Sequence, residues 1–182
     1  MNARTAILLN ALGLYGIALV LLLGFFFQLV RHELPCPLCL LQRVAFAALA
    51  VGPVLNIRRG PRPSHYGMSL LAALVGMMVA VRQVMLHILP GDPGFGSAVA
   101  GLHYYTWAAL IFIFAMVLIG LVLQFDGQFE PDPAAPPPPA FATIAVWLIM
   151  LVVLADIVST FLECGLAVCA EDPVRYELLI RP

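Results

Sequence analysis

Charge is scarce in this sequence: 10% of its 182 residues are charged and 63% are hydrophobic. That balance excludes a water-soluble domain, which could not hide so much apolar surface. The class it leaves is a polytopic membrane protein. Lysine is missing altogether, so every basic residue apart from histidine is arginine; no physical reading attaches to that absence. The formal net charge of −1 offers no basic surface for nucleic acid. No internal repeat is evident. Cysteine is confined to Cys36, Cys39, Cys164 and Cys169, two close pairs that read as two dithiol/disulfide couples. Disulfides persist outside the reducing cytosol, so this reading requires both pairs on the outer side of a membrane.

Hydropathy tests that requirement. Five apolar runs, roughly residues 6–30, 36–57, 68–89, 106–123 and 141–162, are each long enough to span, since about 20 apolar residues cross a bilayer. The first is too long for a cleaved signal peptide and reads as a retained helix. Pro53 falls near the end of the second run, where a kink is tolerable. The short turn Arg58-Arg59-Gly60-Pro61-Arg62 carries three arginines, and short arginine-rich loops stay in the cytoplasm. With Arg4 ahead of the first run, this places the N-terminus inside and Cys36 and Cys39 outside. Residues 95–105, with Tyr104, Tyr105 and Trp107 at their end and beyond, read as an interfacial segment. Residues 125–140 form a proline-rich, extended linker without a hydrophobic face. A fifth crossing then returns Cys164 and Cys169 to the outer side, so charge and redox arguments agree.

The chain is organised around Pro35-Cys36-Pro37-Leu38-Cys39-Leu40-Leu41-Gln42-Arg43, at the mouth of the second run. A helix N-terminus favours a thiolate, because its free N–H groups and dipole stabilise negative charge. Three readings fit the Cys36/Cys39 pair: a redox-active disulfide, a structural bridge, or half of a four-thiolate zinc site completed by Cys164 and Cys169. Leu40 stands where a c-type haem motif has histidine. Arg43 lies four residues beyond Cys39, on the same helix face. An intramembrane arginine costs about 2.5–3.5 kcal/mol at a helix centre and less near its end. It is either a snorkelling anchor or a donor to a quinone carbonyl that gains negative charge on reduction.

Arg82, Gln83 and His87 lie in the outer third of the third run. Gln83 and His87 are expected on one helix face, lining a polar pocket with Arg43 or making ordinary interhelical hydrogen bonds. Asp156, inside the fifth run, is read as an ion-pair partner of Arg43 or Arg82, or as a proton relay. His103 reads as an interface residue. Gly165 permits a turn that closes a Cys164–Cys169 bridge, as a redox pair or a staple of the tail. Cys164 should stay near Cys36. Cys169, at most about 17 Å further along an extended chain, should be more accessible to a soluble partner.

Cys-Pro-Leu-Cys-Leu-Leu-Gln-Arg at 36–43, supported by Arg82-Gln83-Val84-Met85-Leu86 with Pro90, resembles the disulfide bond formation protein B (DsbB) family. The resemblance covers roughly residues 6–124. It implies an all-α, polytopic membrane bundle with a four-helix DsbB-like core (1–124), to which the hydropathy adds, as a departure from the family, a cytoplasmic linker (125–140) and a fifth transmembrane helix with a periplasmic cysteine-bearing tail (141–182). It also implies an inner-membrane enzyme that reoxidises a periplasmic DsbA-like thioredoxin-fold protein and passes electrons to ubiquinone or menaquinone. Cys39 would face the quinone, Arg43 would help bind it, and Cys36 would exchange with the second pair. One departure is plain. The family carries its second pair between helices three and four, but residues 90–105 here contain no cysteine.

The expected mechanism is a relay. A partner thiolate attacks Cys169, freed Cys164 attacks Cys36, and Cys39 leaves as a thiolate favoured by the helix N-terminus and Arg43. Two other readings differ in class: a vitamin K epoxide reductase-like thiol/quinone enzyme, and a non-enzymatic assembly subunit with structural or zinc-binding cysteines.

Overall fold

The computed structural model describes residues 1–130 and 137–179. Five helices account for most of the described chain: α1 (Ala3–Val30), α2 (Pro37–Arg59), α3 (Pro63–Leu86), α4 (Tyr104–Leu123) and α5 (Ala140–Cys164). All five are long and apolar enough to cross a membrane, and the chain is an all-α, multi-pass membrane bundle. Between α3 and α4 lies a minimal antiparallel hairpin, β1 (Ala98–Val99) with β2 (Leu102–His103). Along the bundle, α5 packs on α1, α1 on α2, α2 on α3 and α3 on α4, with a smaller α2–α5 contact.

Two element bounds differ from the apolar runs. α3 begins at Pro63 rather than residue 68, because its first turn holds the buried polar residues His65 and Tyr66, which hydropathy discounts. Pro63 suits a first helical position, where its missing N–H has no partner to lose. At the other end α3 stops at Leu86, short of residue 89. Pro90 drives the residue before it out of helical geometry, and His87 becomes the C-cap. Pro53 is accommodated within a continuous α2.

Helices approach closely where side chains are small, as lipid-embedded helices do without a hydrophobic drive between them. A Cβ on Gly52 would collide with Ser69 and with the backbone oxygen of His65. Gly76 lies against the ring of Phe112, which stacks on Phe46 at 4.1 Å. The outward faces carry Leu71, Phe114 and Leu151, exposed in the isolated chain and suited to lipid.

A buried polar network fastens the end of the bundle away from the cysteines. Asn10 Nδ2 donates to Tyr66 Oη at 2.8 Å, Asn56 Nδ2 donates to Asn10 Oδ1 at 3.0 Å, and the Arg62 N–H donates to Asn56 Oδ1 at 3.1 Å. Tyr66 Oη in turn donates to Gln128 Oε1 at 2.9 Å. The start of the 125–140 segment is therefore not extended, contrary to expectation. Asp126–Gln128 make a tight 3-10 turn, and Gln128 is buried with its amide donating to the backbone oxygens of Val122 and Phe125. The proline-rich centre of the linker, 131–136, lies outside the described residues.

Asn56 joins α1, α2 and the start of α3 in this network. Asn56→Ala is expected to cost about 1–3 kcal/mol, the penalty for leaving buried partners unpaired. A lower thermal midpoint in detergent, with both disulfides intact, is the measurable outcome.

Candidate active site

Local sequence sets the position of Cys36. Pro37 occupies the first turn of α2, and Cys36 is its N-cap, with extended backbone (φ −68°, ψ 165°). The Cys39 N–H donates to Cys36 Sγ at 3.2 Å. Cys36 and Cys39 are bridged, with Cα atoms 5.0 Å apart. Cys36 is buried. The helix N-terminus was expected to favour a Cys39 thiolate, but the capping hydrogen bond goes to Cys36, because the cap geometry aims that side chain at the third helical N–H.

Gln83, on α3, is nearly inaccessible and points at the bridge. Its Nε2 lies 3.3 Å from Cys36 Sγ and 3.5 Å from Cys39 Sγ, while its Oε1 accepts from Gln42 Nε2 at 2.7 Å. Gln42 thereby fixes which end of the Gln83 amide faces sulfur. Such a donor stabilises whichever sulfur carries negative charge after the bridge opens.

Arg43 sits one turn further along α2. Its Nη1 donates to Gln28 Oε1 at 2.8 Å and to Asp156 Oδ1 at 3.1 Å. Its guanidinium lies 5.4 Å from the centre of the Phe25 ring and rests on Gly24, where an added Cβ would come within 3.2 Å of it. Of the two partners expected for Asp156, the structure selects Arg43.

Cys39, Gln42 and Arg43 line one side of a cavity of about 330 Å³ between α1, α2 and α4. The rest of its wall is largely apolar, with Phe27, Phe46 and Trp107 prominent. Phe95, Gly96 and Val99 of the α3–α4 connection also line the cavity. Trp107 Nε1 donates to the Val99 oxygen at 3.0 Å, pinning the hairpin to α4. Glu33 accepts from the Ser97 N–H at 3.0 Å, from Tyr104 Oη at 2.9 Å, and from the Ser97 hydroxyl. Gly101 turns the hairpin with φ +82°, in the left-handed region that glycine enters without strain.

Arg82 and His87 do not join this site. Arg82 is exposed on another face of α3, and His87, beyond the helix end, pairs its Nδ1 with Asp92 Oδ1 at 3.1 Å. The expected pocket of Arg43 with Gln83 and His87 therefore does not form. His103 stacks on Tyr105 in the connection.

The model of the family described as disulfide bond formation protein DsbB matches residues 4–97. The chain belongs to this family. The match is shorter than the 6–124 suggested by the motifs: it holds Cys36, Cys39, Arg43 and Gln83 but ends within the α3–α4 connection. Proteins named disulfide bond formation protein B are similar over the same region. The Xanthomonas axonopodis pv. citri (strain 306) protein is 44% identical over 86 residues, 44% of this chain and 50% of that protein. The Nitrosococcus oceani protein is 37% identical over 87 residues, again 44% and 50%. The Azoarcus sp. (strain BH72) protein is 35% identical over 91 residues, 48% and 54%. The chain spans about half the length of the curated relatives it matches. No solved structure matches.

Beyond the DsbB match, α5 ends at Cys164, and Gly165 (φ +64°) turns the chain so that Cys169 bridges back, with Cα atoms 4.7 Å apart. Cys164 is buried and Cys169 half-buried. The tail folds onto the end of α5, where the Glu177 N–H donates to the Glu163 oxygen and the Leu178 N–H to the Leu162 oxygen, both at 3.1 Å. Gln28 Nε2 donates to Ser159 Oγ at 2.8 Å and to Tyr176 Oη at 2.9 Å. One glutamine thus joins Arg43, α5 and the tail. The four cysteines form two separate bridges, and no cluster of three or more metal-ligating side chains occurs among the described residues, so the four-thiolate zinc arrangement lacks its geometry.

Gln28, Glu33, Ser159 and Glu163 had not been singled out from the sequence. Asp156, Ser159 and Glu163 at i, i+3 and i+7 are a helical stripe that period analysis can find.

Glu33 gives a pH prediction. Burial pushes its carboxyl up, but donors from Ser97 and Tyr104, with the charge of Arg31, outweigh burial and hold it below the ordinary glutamate value. A depressed carboxylate contributes stability above its unfolded value, lost as pH falls through the folded one. The 95–103 segment should stay protected at neutral and mildly acidic pH and loosen only below the ordinary glutamate range. Glu33→Ala should loosen it at neutral pH, read as faster amide exchange confined to that segment.

Proposed function

We propose that the chain is a membrane protein thiol–disulfide oxidoreductase that reoxidises a periplasmic DsbA-like thioredoxin-fold protein and delivers the electrons to ubiquinone or menaquinone. One observation carries this reading: Cys39 of a bridged, helix-capped pair and the guanidinium of Arg43 share the wall of one apolar cavity. The cavity fits a quinone ring in kind, since small-molecule sites of roughly 300–1,000 Å³ are mostly apolar with a few fixed polar groups. Arg43, Gln42 and the aromatic wall would hold it. When bound, a quinone supplies the two-electron acceptor.

The residues divide the work. Asp156 and Gln28 hold Arg43 in place, so its charge faces the cavity without reorganisation. Gln83 and the α2 N-terminus stabilise sulfur charge as the Cys36–Cys39 bridge opens. The Cys164–Cys169 bridge, with its half-buried Cys169, receives the partner thiol, and Cys164 then attacks Cys36. Arg58 and Arg59 in the last turn of α2, with Arg62 just before α3, support a cytoplasmic N-terminus and a periplasmic tail, in a bacterial inner membrane.

Quinone reduction by the purified protein in detergent, with a reduced thioredoxin-fold dithiol protein as donor, tests the reading. Cys36→Ala and Cys39→Ala should abolish turnover. Arg43→Ala should raise the quinone KM about 10–100-fold, the loss of one charge-assisted hydrogen bond, and unchanged quinone kinetics would remove its assigned role. The Cys164→Ala/Cys169→Ala double variant should lose turnover with the protein donor. Equal activity in parent and double variant would make the tail bridge structural.

A further inference from the structure

Glu163 is the residue this scheme leaves unexplained. It is 3% exposed, and neither carboxylate oxygen has a hydrogen-bond partner. Buried polar groups almost always have one, so an orphaned carboxyl calls for a reason. Two observations supply it. Glu163 immediately precedes Cys164, and atoms of both residues line a second, partly open cavity, of about 420 Å³, together with tail residues that include Pro173 and Val174. Glu163 also continues the α5 stripe of Asp156, which pairs with Arg43, and Ser159, which binds Gln28.

We propose that Glu163 is the acid–base partner of the neighbouring Cys164, storing its proton between two thiol–disulfide exchanges. The need for two exchanges rests on the function proposed above. In the first, the partner thiolate bonds to Cys169 Sγ, the Cys164–Cys169 bond breaks, and Cys164 leaves with the electron pair as a thiolate. The Glu163 carboxylic acid protonates it and becomes a carboxylate. In the second, the carboxylate takes the proton back as Cys164 Sγ bonds to Cys36 Sγ. The Cys36–Cys39 bond breaks and Cys39 leaves as a thiolate. Protons and electrons balance with no further reactant, and Glu163 ends as it began.

The charge surroundings are mixed. Asp156, which pairs with Arg43 of α2, shares the helix face of Glu163, and Asp172, Arg175, Tyr176 and Glu177 belong to the folded-back tail. Gln28, from α1, is neutral.

The test isolates one thiol. In full-length protein in detergent carrying Cys36→Ala, Cys39→Ala and Cys169→Ala, Cys164 is the one remaining thiol. Its alkylation by iodoacetamide is followed from pH 5 to 10, with and without Glu163→Gln. With Glu163 present the profile should spread over two coupled steps. With Gln it should collapse to one, with alkylation about tenfold faster at pH 8, as expected for sites interacting by about one pK unit. Glu163→Asp should restore the two-step profile. Superimposable profiles would overturn the proposal. So would a changed profile that Asp fails to restore while thiol counting shows one free thiol and the thermal midpoint is unchanged, because that pattern marks a packing effect. In protein with all four cysteines, Glu163→Gln should slow transfer from the reduced tail pair to Cys36–Cys39 about 100-fold, within the usual range for acid–base groups. Coupled titration together with no quinone reduction by the parent would refute the function and leave the thiol–carboxyl pairing standing.

Discussion

The largely buried guanidinium of Arg43 is the constraint on which the rest of the site depends. A charge in an apolar bundle is tolerated only when paired and hydrogen-bonded. Arg43 meets that condition with partners from two other helices, Gln28 on α1 and Asp156 on α5. Removing one partner of a buried pair typically costs about 3–5 kcal/mol, because the other charge is left stranded. Helix α5 is therefore more than a tether for the tail: it supplies the counter-charge of a residue in the DsbB-matched region. Gly24 belongs to the same constraint, since a side chain there would crowd the guanidinium.

Around that fixed charge the two sulfurs of the first bridge are made unequal. Cys36 receives the α2 N-cap hydrogen bond and is buried, whereas Cys39 lines the cavity beside Arg43. Gln83 reaches both. An electron pair arriving at Cys36 and leaving from Cys39 would thus pass from a site stabilised by backbone N–H groups to one facing the apolar chamber. The asymmetry comes from three residues of helix start, Cys-Pro-Leu, which put one sulfur at the cap and the other a turn inward.

The architecture was legible because its signals are local and large. Five long apolar runs, the arginine turn at 58–62 and the Cys-x-x-Cys with its arginine each announce themselves within a short window. What escaped depends on partners distant in sequence. Gln28 reads as one polar residue after three phenylalanines, yet it touches Arg43, Ser159 and Tyr176. Gln128 lies in a segment whose prolines suggest extension, and its burial follows from Tyr66, 62 residues away. His87 was placed on a helix face by extending the period of α3 past Leu86; the rule held for Gln83 and failed where the helix stopped. Periodicity locates a side chain only while its helix continues.

The absence of cysteine from the α3–α4 connection also has a structural counterpart. That connection is pinned to the bundle by Glu33 and Trp107 and lines the cavity. The second bridge lies instead in the tail. The tail is held at the end of α5 by two backbone hydrogen bonds and by Tyr176, while Leu166 and Val168, between its cysteines, stand almost fully exposed. An odd number of crossings brings it to the end of the bundle where α2 begins. The hydrogen bonds of Gln28 hold this tail and α5 against the Arg43 site.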